Sequence, residues 1–149
     1  MENIIVALTN LPVILPIRTS YLKGDMLTAT TIGFVGLASF VSHLAENHKH
    51  GMIGIGLSKK VSYYLNRLDI LGCILTGARL GYLYYNRYGI TISPIKTVDI
   101  FRILIAFMFL RISEYDKYNS TLKWIYIPMH SLWHISIFML MNRFLKVYL

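Results

Sequence analysis

Two imidazoles four residues apart, His130 and His134, lie in the apolar run Met129-His130-Ser131-Leu132-Trp133-His134-Ile135. On a helix, residues at that spacing share a face, so both rings can reach one metal ion. Ser39 and His43 repeat the spacing in another apolar stretch and add a hydroxyl and a third imidazole. Asp69 is an acidic residue well inside a third such run. Ionisable groups in a hydrophobic slab are expensive, and a shared metal ion would account for them together. Zinc accepts neutral imidazoles, and three protein ligands plus a water is its usual catalytic arrangement. The metal lowers the pKa of such a water toward about 7. Asp69 can orient that water or accept its proton, and Ser39 can hold it or donate to a developing oxyanion. Each feature alone has a plainer reading. A single intramembrane histidine often only hydrogen-bonds between helices, and facing histidines can also be axial ligands of haem. Haem explains neither Asp69 nor Ser39. His48 and His50, in the charged loop Glu46-Asn47-His48-Lys49-His50-Gly51, are expected to be solvated.

Long apolar runs must position these residues. The chain has 149 residues, 55% hydrophobic and 15% charged, with a mean hydropathy of +0.52. A soluble domain of this size carries about 25% charged residues. The deficit predicts an integral, multi-pass membrane protein, all-α, folded as one transmembrane bundle over residues 1–149. Five runs are expected to span the bilayer, at about 3–19, 26–45, 61–85, 97–112 and 122–142. Pro12 and Pro16 interrupt the first, and Gly33 and Gly36 in the second would admit a neighbouring helix closely. The net charge of +8 sits between the runs, where Lys and Arg meet lipid headgroups, and no basic stripe interleaved with aromatics points to nucleic acid. Cys73 is the only cysteine, so no intrachain disulfide forms. Arg79 and Arg102 are expected to snorkel to the interface.

Five spans also set the parity. His43 ends span two and Asp69 lies near the start of span three, on the same side. Span five begins again on that side, and His130 and His134 lie about 12–18 Å along it. All five residues can therefore meet in one half of the bilayer.

In order, Ser39-x3-His43, Asp69 and His130-x3-His134 resemble the signature of the CREST superfamily of membrane metallohydrolases. That group includes the alkaline ceramidases, the adiponectin/progestin receptors, GPI-remodelling proteins and myomaker-like proteins. The spelling His130-Ser131-Leu132-Trp133-His134 resembles the myomaker and GPI-phospholipase branch most and the ceramidases nearly as well, and Thr9-Asn10-Leu11-Pro12 is similar to the Ser-Asn-Leu that opens the first helix in those branches. The resemblance implies zinc held by His43, His130 and His134, with Ser39 and Asp69 beside it. It implies hydrolysis of an amide or ester bond in a membrane lipid, such as a ceramide, phospholipid or GPI. The family usually has seven spans, so five would make this chain a shortened version. The alternative from a different class is a non-enzymatic membrane-remodelling or fusion-type protein with a structural zinc site.

Overall fold

The computed structural model describes residues 2–45, 50, 52 and 54–148. His48 lies outside the described residues. Those residues fold as six α-helices joined by turns and loops, with no strand among them. Helix α1 (Glu2–Leu8) passes through a single 3-10 turn, Leu11–Val13, into α2 (Ile14–Leu22). Pro12 occupies that turn and Pro16 the first turn of α2, positions whose N–H groups have no helical acceptor, so the prolines redirect the segment without breaking it. Gly24, at φ +75°, makes the tight turn that follows. Asp25 then starts α3 (Met26–Ala45), its carboxylate accepting the Thr28 amide at 3.0 Å. Helix α4 (Lys59–Tyr88) is capped by Ser58, which accepts the Val61 amide, and ends at Gly89, where φ is +65°. Helix α5 covers Thr97–Ser113 and α6 covers Lys123–Val147. Residues 89–96 lie outside both neighbouring helices.

Helix directions follow from which residues meet. Ser62 donates its hydroxyl to the Ala45 carbonyl (2.6 Å), Gly72 backs onto Val35, and Arg79 reaches Thr28. This constant antiparallel register ties α4 to α3. His43 with His130 and Ser39 with His134 place α3 antiparallel to α6. Ser113 with His130 and Asp99 with Arg143 do the same for α5 and α6. Thr9 with His134 and Thr19 with Asn142 run α1 and α2 parallel to α6. Successive rods therefore alternate in direction.

Two small residues set the closest approaches. A Cβ on Gly36 would lie 2.7 Å from a Val13 methyl, and one on Gly72 would lie 2.9 Å from Val35 Cα. The first matches the close approach expected from α3. The second, on α4, is legible only once the register is known.

The interior is polar for a fold this size. Thr28, Ser39, Ser42, Ser62, Thr76 and Asn142 are buried, while Phe101, Leu104, Phe107, Met108 and Ile74 are exposed. Two stretches, Glu2–Leu22 and Met26–Ala45, are long and apolar enough to cross a membrane.

Arg79 is only partly exposed and folds back onto the start of α3 instead of snorkelling outward. It donates to both carboxylate oxygens of Asp25 at 3.0 Å and, through Nε, to the Thr28 hydroxyl at 2.9 Å. Arg102 pairs with Asp99 at 2.8 Å. Asp99, a buried carboxylate near the start of the fourth run, went unnoticed in the sequence because it sits at the edge of the apolar stretch.

Candidate metal centre

Helix α6 turns one stripe inward. Tyr126, His130, His134, Phe138 and Asn142 recur every four residues, and all are buried. Helix α3 faces this stripe with Ser39, Ser42 and His43, also buried. The antiparallel crossing brings the three histidines to one point. Their ring centroids form a nearly equilateral triangle with sides of 4.7, 4.8 and 4.7 Å. One ligand atom from each lies within 4.8 Å of the others.

The outer nitrogens are held apart from that centre. The Thr9 oxygen lies 3.0 Å from His134 Nδ1, and its own proton goes to the Val6 carbonyl at 2.6 Å. A hydroxyl has one proton, so Thr9 accepts here and His134 carries its hydrogen on Nδ1. Ser113 repeats the arrangement, donating to Leu110 at 2.7 Å and accepting from His130 Nδ1 at 3.0 Å. The Glu114 carboxylate lies 3.6 Å from the same nitrogen. Tyr126 places its hydroxyl 3.4 Å from His43 Nδ1. Both His130 and His134 therefore aim an Nε2 lone pair inward. His130 Nε2 and His43 Nε2 lie 3.2 Å apart, and Ser39 Oγ is 3.5 Å from His134 Nε2. Metal-binding histidines characteristically fix the second nitrogen in this manner. Two zinc–nitrogen bonds of about 2.0–2.1 Å at a tetrahedral angle separate the nitrogens by about 3.3 Å. The donor set and spacing fit a metal ion.

Of the residues singled out in the sequence, His43, His130 and His134 meet directly, and Ser39 borders them. Asp69 is not part of the three-histidine group. It is half-buried on the α4 stripe that includes Ser62, Gly72 and Thr76, and Cys73 Sγ lies 4.0 Å from its carboxylate. The α3–α4 register sets it level with Ala38 and Ser39. His50 is buried, not solvated: its Nδ1 is 2.8 Å from the Asn119 carbonyl and its backbone N–H meets the Lys117 carbonyl at 2.7 Å. It lines a cavity of about 420 Å³ with Arg111, Ser113, Glu114 and Tyr126. Ser113 and Tyr126 border both this cavity and the histidines, so the cavity adjoins the centre.

The sequence reading missed the supports Thr9, Ser113, Glu114 and Tyr126. Tyr126 had a signal, standing four residues before His130 on the same face. Ser113 and Glu114 had none, since their place depends on how α5 folds back along α6.

No protein-family model matches the chain, and no solved structure matches it. Among curated proteins, the "Uncharacterized protein L282" of Acanthamoeba polyphaga mimivirus is 57% identical over 148 residues, covering 98% of this chain and 97% of that protein. Identity at that level across nearly the whole of both chains means that this protein belongs to the same family as the mimivirus protein.

Proposed function

We propose that this chain is a five-span integral membrane protein, a shortened member of the CREST superfamily, which holds zinc through His43, His130 and His134 and hydrolyses an amide or ester bond of a membrane lipid. One observation carries the reading: the Nε2 lone pairs of His130 and His134 converge on His43 while Thr9 and Ser113 occupy the opposite nitrogens. The polar interior and apolar exterior support a bilayer environment, because exposed surface of that kind is costly in water and buried polar groups need internal partners in lipid. Alternating rods support five spans.

When bound, zinc would supply Lewis acidity and an acidified water. The chain's own residues do the rest. Ser39, beside His134 Nε2, orients the attacking oxygen or donates to the carbonyl oxygen as charge develops. Asp69, level with Ser39 across the α3–α4 seam, accepts the proton of the attacking water. Thr9, Ser113 and Tyr126 hold the imidazoles in place. The three-nitrogen set favours the enzymatic reading over a structural zinc, for which four protein ligands would be expected.

Purified protein should contain about one zinc per chain, resist carbonate extraction from membranes and release fatty acid from at least one class in a panel of ceramides, phospholipids and GPI lipids. Zinc lost in both His130→Ala and His134→Ala supports the site. Full occupancy in both variants overturns it, and zinc without turnover on any lipid favours the structural alternative.

A further inference from the structure

The far end of the α5–α6 hairpin carries a second polar cluster, about 13 Å along α6 from His134 to Arg143 at 1.5 Å per residue. Its centre is Asp99, the one buried carboxylate among the described residues. Asp99 accepts from Arg143 Nε at 2.6 Å, Arg143 Nη2 at 3.3 Å, Arg102 Nη1 at 2.8 Å and the Tyr148 hydroxyl at 2.6 Å. Tyr148 in turn accepts the Lys96 amide at 3.2 Å. One carboxylate thus fixes two guanidiniums. Arg143 Nη1 and Arg102 Nη2 keep donors with no partner among the described residues, and Lys146 adds a cation with no acidic partner there.

These cations form the rim of a groove of about 510 Å³ between α5 and α6. The order of its lining is directional. Arg143 and Lys146 stand toward the end of α6, and Met139 and Leu140 lie a turn further in. On α5, Arg102 stands at the rim and Ile105 lies deeper. Three cations against one carboxylate leave the rim about two charges positive. The groove is basic at the helix ends and mainly apolar toward the middle of the bundle, where Ile105, Met139 and Leu140 line it with the small Ser136 at its inner end. That polarity matches a molecule with an anionic head at a membrane surface and a chain running inward. A soluble anion would use the rim and leave the apolar wall uncovered, whereas a neutral lipid would leave the free donors unpaired.

We infer that this groove binds one anionic phospholipid of the surrounding membrane, its phosphate on Arg102, Arg143 and Lys146 and its acyl chain against Ile105, Met139 and Leu140. Basic pockets between membrane helices commonly recognise anionic headgroups. Asp99 is a positioning residue here, orienting both guanidiniums before the lipid arrives. The inference rests on the membrane placement proposed above but not on the metal or the hydrolysis.

The test uses the full chain in bilayers of equal parts phosphatidylcholine and phosphatidylglycerol, released into native mass spectrometry, with zinc content read on the same preparations. One retained phosphatidylglycerol per chain, in preference to phosphatidylcholine, is expected. Arg102→Gln should weaken retention about fivefold, and adding Lys146→Gln should weaken it about 25-fold. Neither change strips Asp99 of Arg143, so the fold is kept. Arg143→Lys, which keeps a charge beside Asp99, should retain the lipid with weaker binding. Arg18→Gln, exposed on α2 at the same end, should have no effect. The inference is overturned if phosphatidylcholine is retained equally. It is also overturned if the double variant binds as wild type or if Arg18→Gln weakens binding as much as Arg102→Gln. Displacement by millimolar glycerol phosphate would make the ligand a soluble anion and overturn it as well. Loss of lipid selectivity with zinc intact would sink this inference alone. Retained selectivity without zinc would support it while sinking the metal reading.

Discussion

His43 Nε2 and His130 Nε2 face each other at 3.2 Å in the buried centre of the protein. His130 has its hydrogen on the other nitrogen, committed to Ser113, so the inward atom offers a lone pair. Something positive must lie between the two rings, either a proton shared with His43 or a metal ion held by both. Metal content separates the two. About one zinc per chain, lost in His43→Ala, is the expected result. A metal-free protein of unchanged stability would identify a proton-sharing pair.

The hydroxyls behind the rings should matter nearly as much as the rings. Thr9→Val and Ser113→Ala remove the acceptors at His134 and His130 without touching the centre. Each should lower zinc affinity about 10–100-fold while leaving the helical content intact. Competition with a chelator of known affinity measures this. Unchanged affinity in both would mean that the tautomers are set by something else.

Asp69 stands level with Ser39 but outside the histidine triangle, which predicts a separation of roles. Asp69→Asn should keep the zinc and lose about 10²–10⁴-fold in lipid hydrolysis. Ser39→Ala should lose less if it supplies a single contact. Zinc loss and unfolding in Asp69→Asn would make the carboxylate structural and favour the non-enzymatic reading.

The α2–α3 turn makes stability depend on acid. Burial pushes the Asp25 carboxyl upward. The Thr28 hydroxyl, the Thr28 amide and Arg79 together outweigh burial and hold the group below its ordinary value of 3.8. A carboxylate with a depressed folded pKa stabilises the fold above its unfolded pKa and ceases to do so as pH falls through the folded one. Thermal unfolding should therefore be steady near neutrality and lose stability below about pH 4. Asp25→Asn should flatten that part of the profile. An identical acid limb in the variant would remove Asp25 from the account.

Packing at the α3–α4 seam gives a prediction independent of chemistry. A Cβ at Gly72 would come within 2.9 Å of Val35 Cα, backbone that cannot swing aside. Gly72→Ala should destabilise by about 1–3 kcal/mol, read as a lower melting temperature. Gly77→Ala, where nothing lies within 4 Å, should be neutral or slightly stabilising.

The alternation of rods places Glu2 and Lys146 at opposite ends of the bundle. Single cysteines introduced at those two positions, in a Cys73→Ser background, should label from opposite faces of sealed vesicles. Labelling of both from one face would remove the five-span reading.

The sequence by itself determined the helical character of the chain and which side chains share a helix face. Apolar runs fix helix length because every backbone group must find a partner within the segment. The four-residue spacing fixes which side chains share a face, so Ser39 with His43 and His130 with His134 were legible without coordinates. The tertiary structure decided the rest, because the remaining partners are far apart in the chain. Thr9 reaches His134 across 125 residues, and Ser113 reaches His130 only because α5 folds back along α6. Arg79 could be expected at the interface from its length and charge, but its pairing with Asp25 follows from the register of α4 on α3. His50 reads as a solvated loop residue until the Lys117 and Asn119 carbonyls close over it. Local periodicity encodes faces. Which faces meet, and at what register, is settled by packing between segments whose contacts no local pattern records.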